Sequence, residues 1–134
     1  MNKYITDPAT YTPNGAVFRD GLIYWAVAGT NASLPNGQVQ RLGIATTDPA
    51  TDKTEMMLDN YYGFFFSGAN DLTFDEQGDI WFTDSEYSFI IGTSTSAPQM
   101  QFATWAFSTL DRGPGDFYAC PIDIEFESTL KRSI

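Results

Sequence analysis

Histidine is absent from this chain, and cysteine occurs once, as Cys120. Without histidine these residues build no Ser-His-Asp triad, no Cys-His dyad and no histidine-ligated zinc site. The usual general base near neutral pH is missing too. A single cysteine rules out an intrachain disulfide and a thiolate cluster, and a buried, inert thiol is its expected state. Positive charge is scarce: seven Lys and Arg stand against seventeen Asp and Glu, a net charge of −10. Such a surface repels phosphate backbones, so nucleic acid is a poor partner, while a hard cation or a neutral small molecule suits it better. Taken singly, most of these carboxylates are equally well explained as solubilising groups. Apolar runs are short. None approaches the roughly 18 to 20 residues of a membrane span, and Met1 to Pro8 lacks the apolar run of a signal peptide. The cellular location stays open. Asn31-Ala32-Ser33 fits a glycosylation sequon, which has meaning only in a secreted protein.

What is present is an ordered composition and a repeat. The 134 residues are 43% hydrophobic and 16% aromatic, with 18% charged, which is the profile of a folded domain rather than of a disordered chain. Asn14-Gly15-Ala16-Val17-Phe18, a reversal at Asp20-Gly21, and Leu22-Ile23-Tyr24-Trp25 form one copy. Asn70-Asp71-Leu72-Thr73-Phe74, a reversal through Asp75 to Gly78, and Asp79-Ile80-Trp81-Phe82 form the other. Units of about 40 to 50 residues with several strands each are how β-propeller blades read. The expected fold is all-β: a partial β-propeller of about two blades, 15–58 and 70–108 within residues 1–110, followed by a divergent, irregular tail over 111–134. A chain holding two blades is too short for a closed ring.

The local signals agree. Asp-Gly between apolar runs predicts a hairpin of strands 16–18 and 22–28. The alternation of 38–44 predicts a third strand, the polar run 46–52 a turn, and 54–58 a fourth strand. Residues 101–107 predict a further strand after a polar loop at 85–98, and 117–120 and 122–126 are candidate strands in the tail. No segment carries a convincing helical period.

Two places invite chemistry. In Tyr61-Tyr62-Gly63-Phe64-Phe65-Phe66 five aromatics fill six positions. They read either as rings wedged between blades or as the wall of a small-molecule pocket. Burial of the run is expected, with Phe66 between the sheets and Phe64 and Phe65 nearer a channel mouth as substrate contacts. The second place is the start of each repeat. The innermost strand of a propeller blade lines the central channel, so Asn14 and the pair Asn70-Asp71 converge on the axis. Their oxygens suit calcium, which takes six to eight such donors. Read from the residues alone, a turn or cap role for each asparagine remains open beside it. No nucleophile elbow, phosphate loop, dinucleotide fingerprint or EF-hand appears, and the catalytic residues stay unassigned.

The run Tyr61-Tyr62-Gly63-Phe64-Phe65-Phe66-Ser67-Gly68-Ala69-Asn70-Asp71-Leu72, closed by Gly78-Asp79-Ile80-Trp81-Phe82-Thr83-Asp84, resembles the gluconolactonase family, within the wider superfamily of senescence marker proteins and luciferin-regenerating enzymes. Tyr11 to Val17 and Asp59 to Gly63 look like its fungal lactonohydrolase-like branch. The resemblance implies a six-bladed propeller with an axial calcium ion that hydrolyses lactones or related esters. It implies Asn70 as a metal ligand, with Asp71 binding a second, structural calcium in some relatives. The acidic ligand of the family's first blade and its later-blade ligands have no counterpart here. Phe64, Phe65, Phe66 and Ser67 replace a polar, Arg-containing run, which favours an apolar substrate over a sugar lactone. Two functions follow as expectations: a fragment of a calcium-dependent lactonase or esterase, inactive as the isolated chain, or a non-catalytic propeller-type binding or assembly module. Open sheet edges predict self-association.

Overall fold

The computed structural model describes residues 6–7, 10, 12–29, 42–92 and 97–99, together with the backbone of strands at 103–107 and 119–122. The sequon and most of the 111–134 tail lie outside the described residues, as does the side chain of Cys120.

Two four-stranded antiparallel sheets account for most of the structure. The first is β1 (Pro13–Arg19), β2 (Leu22–Val27), β3 (Gly43–Asp48) and β4 (Lys53–Leu58), in that spatial order. Asp20 and Gly21 both adopt positive φ, 50° and 83°, the conformation that lets a two-residue turn follow the twist of its strands. The next turn is fastened by Asp48, whose carboxylate accepts Ala50 N at 2.8 Å and the Thr51 hydroxyl at 3.1 Å.

A small hairpin follows, β5 (Asn60–Tyr61) and β6 (Phe64–Phe65), with Tyr62 and Gly63 again at positive φ. Then come β7 (Ala69–Phe74), β8 (Ile80–Asp84), a single helical turn α1 (Tyr87–Ile90), β9 (Ala103–Phe107) and β10 (Ala119–Ile122). The second sheet runs β10-β9-β8-β7, so its outer strand comes from beyond residue 111. The turn between β7 and β8 is closed by Asp75, which accepts Asp79 N at 2.9 Å and the Trp81 indole N–H at 2.8 Å. That indole bond, more than any other contact, holds the Asp75 carboxyl below its ordinary range.

The all-β expectation holds. Within it, two local expectations change. The third strand begins at Gly43 and runs through Thr46 and Thr47, which read in sequence as turn. Tertiary contacts recruit them: Thr47 is fully buried, accepts the Trp25 indole N–H at 2.9 Å and shares a 2.6 Å hydrogen bond with the Thr54 hydroxyl. The aromatic run is also not buried as a whole. Phe66 is 2% exposed, whereas Phe64 is 56%, Phe65 41% and Tyr62 79% exposed. The β5–β6 hairpin carries those three rings outward, while Phe66, leaving it, enters the core and Tyr61 packs half-buried against it.

That core joins the two sheets. Ala26, Ile44 and Leu58 from the first meet Ala69, Leu72, Ile80 and Phe82 from the second around Phe66, which packs edge-on against Phe82 at 5.1 Å. Fully burying rings of this kind contributes about 1.5 to 3 kcal/mol each. Strands β1 and β7 lie side by side, and their contacts keep the period of the sequence repeat. Asn14 meets Asn70, and Arg19 donates to the Asp75 carbonyl, each pair 56 residues apart. The Arg19 guanidinium also lies 4.6 Å over the Phe74 ring, whose edge meets Tyr24. A constant offset means that the two edge strands run in the same direction.

Candidate functional site

The two repeats begin with the same irregularity. Pro13 pairs with Val27 and Ala16 with Trp25, so Asn14 and Gly15 together face Ala26. Ala69 pairs with Asp84 and Leu72 with Phe82, so Asn70 and Asp71 together face Thr83. Two residues opposing one is a β-bulge, a device that re-aims side chains and gathers near functional sites. Here the bulges fall on equivalent positions of both copies.

The bulges touch. Asn14 Nδ2 donates to Asn70 Oδ1 at 2.5 Å, and both side chains are otherwise exposed. Gly15 permits the approach: a Cβ there would lie 2.4 Å from Asp71 Oδ1 and 2.9 Å from Asp71 Cα. No side chain fits. Asp71 is fixed on both sides of its Cα, its N–H donating to Thr83 Oγ1 at 3.2 Å and its Oδ1 accepting Leu72 N at 2.8 Å. Asn14, Asn70 and Asp71 therefore form one cluster. Phe64 and Phe65 stand apart on the β5–β6 hairpin, where Phe65 N donates to Gln99 Oε1 at 2.7 Å.

The cluster's donors suit a hard cation in kind, being two amide oxygens and one carboxylate. A half-turn of the Asn14 amide presents an oxygen in place of its N–H. In number they fall short of the six to eight that calcium takes. No group of three or more His, Cys, Asp or Glu gathers among the described residues. The cluster fits as part of a calcium shell, not as a whole one.

Sequence reasoning missed Asp84. The side chain is fully buried, on the same face of β8 as Ile80 and Phe82. Its Oδ1 accepts Ser67 N at 2.8 Å and Gly68 N at 2.7 Å, and Oδ2 lies 3.1 Å from Ser67 N. Burial pushes its carboxyl up to about 6, and the two backbone N–H groups work against that rise. The signal was available in the alternation of β8, where a carboxylate falls in step with two core residues. The nearby Ser67 hydroxyl is buried with no partner among the described residues.

Sequence comparison identifies related proteins. The chain is 44% identical over 108 residues to lactonohydrolase oryL of Aspergillus oryzae, a match covering 81% of this chain and 24% of that protein. It is 35% identical over 78 residues to lactonohydrolase oryH of the same organism, covering 58% of this chain and 16% of the relative. Against a gluconolactonase of Zymomonas mobilis it is 37% identical over 68 residues, covering 51% and 16%. The chain is a homologue of the gluconolactonase-like lactonohydrolases. No family model matches it. It spans about a quarter or less of the length of these relatives. Among the described residues no helix is long and apolar enough to cross a membrane.

Proposed function

We propose that this chain is a segment of a lactone-hydrolysing β-propeller, and that the paired bulges are its contribution to the active centre. The observation that carries the reading is the meeting of Asn14 with Asn70, equivalent residues 56 apart, at the facing edges of two four-stranded sheets. Edge strands that run in the same direction and touch at a constant offset are the arrangement of neighbouring blades around an axis. The names of the relatives supply the substrate class, a lactone.

In this reading Asn70 and Asn14 would hold a calcium ion through their amide oxygens, with Asp71 beside them. So held, the ion would supply Lewis-acid polarisation of a lactone carbonyl and acidify bound water. The chain's own residues orient it: the bulges aim the asparagines outward, and Gly15 lets the two strands close on each other. Phe64 and Phe65, exposed on their hairpin, favour an apolar substituent on the lactone. Three oxygen donors leave a calcium shell unfilled. Hydrolysis accordingly requires ligands beyond these three; we expect the isolated polypeptide to be inactive and to self-associate through its open sheet edges. The same shortfall favours one other reading, a non-catalytic propeller-type binding module.

Asn70→Ala, placed in a full-length lactonohydrolase carrying this segment, decides between them. Calcium affinity measured by calorimetry and lactone opening followed in a pH-stat should both collapse, with an unchanged circular dichroism spectrum. Unaltered calcium binding and turnover would return Asn70 to a turn-capping role.

A further inference from the structure

Backbone groups on both sides of Asn70 are tied to one short stretch, Thr83 to Ser85, at the end of β8. Ser67 N and Gly68 N donate to the Asp84 carboxylate, Gly68 O accepts Ser85 N at 2.9 Å, and Asp71 N donates to Thr83 Oγ1. Ala69, fully buried, pairs in register with Asp84. Only one residue, Ala69, separates the clamped Gly68 from Asn70, so the chain has little slack between them. We propose that Asp84 is a positioning residue for this site: by holding the Ser67 and Gly68 N–H groups, its carboxylate sets where the Asn70 side chain leaves the bulge and meets Asn14.

The first copy shows that burial alone does not call for a carboxylate at this place. Val27 holds the equivalent position, pairing with the residue before its bulge, and it is equally buried. Asp84 faces the Ser67 and Gly68 N–H groups from the segment entering β7, and no charged side chain among the described residues contributes to its shift. A carboxyl with a midpoint near 6 is largely ionised at pH 7. A buried charge without a cationic partner works against stability, so its return is local, in the geometry of the loop that it holds.

For its functional meaning this inference rests on the reading of Asn70 as a ligand. The coupling itself does not, and the test reads the asparagine side chains directly by nuclear magnetic resonance of the labelled chain, with no lactone and no metal. In Asp84→Asn one amide oxygen replaces two carboxylate oxygens and an NH2 group opposes Ser67 N–H. The Ser67 and Gly68 backbone resonances should move, and the Asn14 and Asn70 side-chain amide pairs should move with them toward free-amide positions. Displaced Ser67 and Gly68 resonances beside unmoved asparagine pairs would overturn the proposal. Where that variant fails to fold, the unsubstituted chain is titrated between about pH 7.5 and pH 5. All four sets of resonances should then follow one midpoint; asparagine pairs that stay flat while Ser67 and Gly68 titrate would overturn it as well.

Discussion

Val27 and Asp84 occupy the same place in two copies of one hairpin, and both are fully buried. One is an apolar side chain in an apolar core. The other is a carboxylate held by two backbone N–H groups. The strands around them agree in register, bulge and turn position, so the exchange does not alter the fold. What it alters is the loop that enters the sheet. In the first copy the approach is fastened by Ala28 N donating to Thr12 O at 3.2 Å, and by the Thr12 hydroxyl donating to Gly29 O. In the second the same backbone bond recurs as Ser85 N to Gly68 O, and the carboxylate is added to it. The core tolerates either solution, but only one fixes the entering backbone from its buried side.

Putting the charge into the wrong copy should have the largest effect. Val27→Asp buries a carboxylate where an apolar side chain packs, and we expect a loss of about 3 to 5 kcal/mol in urea unfolding. A loss below about 1 kcal/mol would mean that both places accept a charge, and the contrast would disappear.

The charge already present should show in the pH dependence of stability. The folded Asp84 carboxyl lies at about 6, above its ordinary 3.8, so the native state binds this proton more tightly than the unfolded chain. Its contribution is complete below the ordinary value and is lost as pH rises through about 6. The displacement corresponds to roughly 3 kcal/mol at most. Urea midpoints should therefore be higher at pH 5 than at pH 7.5, and Asp84→Asn should remove that part of the slope. Equal slopes in both proteins would show that Asp84 is not the group responsible.

A smaller effect is expected at the contact between copies. Gly15→Ala drives a methyl group into Asp71 and should cost about 1 to 3 kcal/mol while separating Asn14 from Asn70. A variant of unchanged stability whose Asn14 and Asn70 side-chain amide resonances stay in place would show that Gly15 is not what lets the bulges meet.

Much of this was legible in the residues. Asp20-Gly21 announced its hairpin because few sequences tolerate two consecutive positive φ values. The repeat was legible because each copy kept its asparagine and its short apolar strands. Phe66 was legible as core from size and apolarity. The same argument failed for Phe64 and Phe65, because apolarity says nothing of whether a two-stranded hairpin turns its rings inward. The second half of β3 was hidden because Thr46-Thr47-Asp48 has turn-like composition, and the Trp25 indole that draws Thr47 into the core lies 22 residues away. The bulges could not be read from either strand alone, since a bulge exists only relative to a partner's register. Asp84 was passed over because an acidic residue ending a strand looks solvent-facing until its alternation with Ile80 and Phe82 is counted.

The offset of 56 residues between Asn14 and Asn70 also has a bearing on the order of folding. The strands of each hairpin are joined through short turns, so they can zip early. The contact between β1 and β7 closes a loop of some fifty residues, whose entropic cost grows with (3/2)RT ln n and must be met before that contact forms. Docking is the late step, and the asparagine pair exists only once it is complete. A ligand that bridges Asn14 and Asn70 therefore acts as a latch on the assembled state. It slows undocking and leaves hairpin formation untouched, and its binding strength reports how firmly the two sheets are closed.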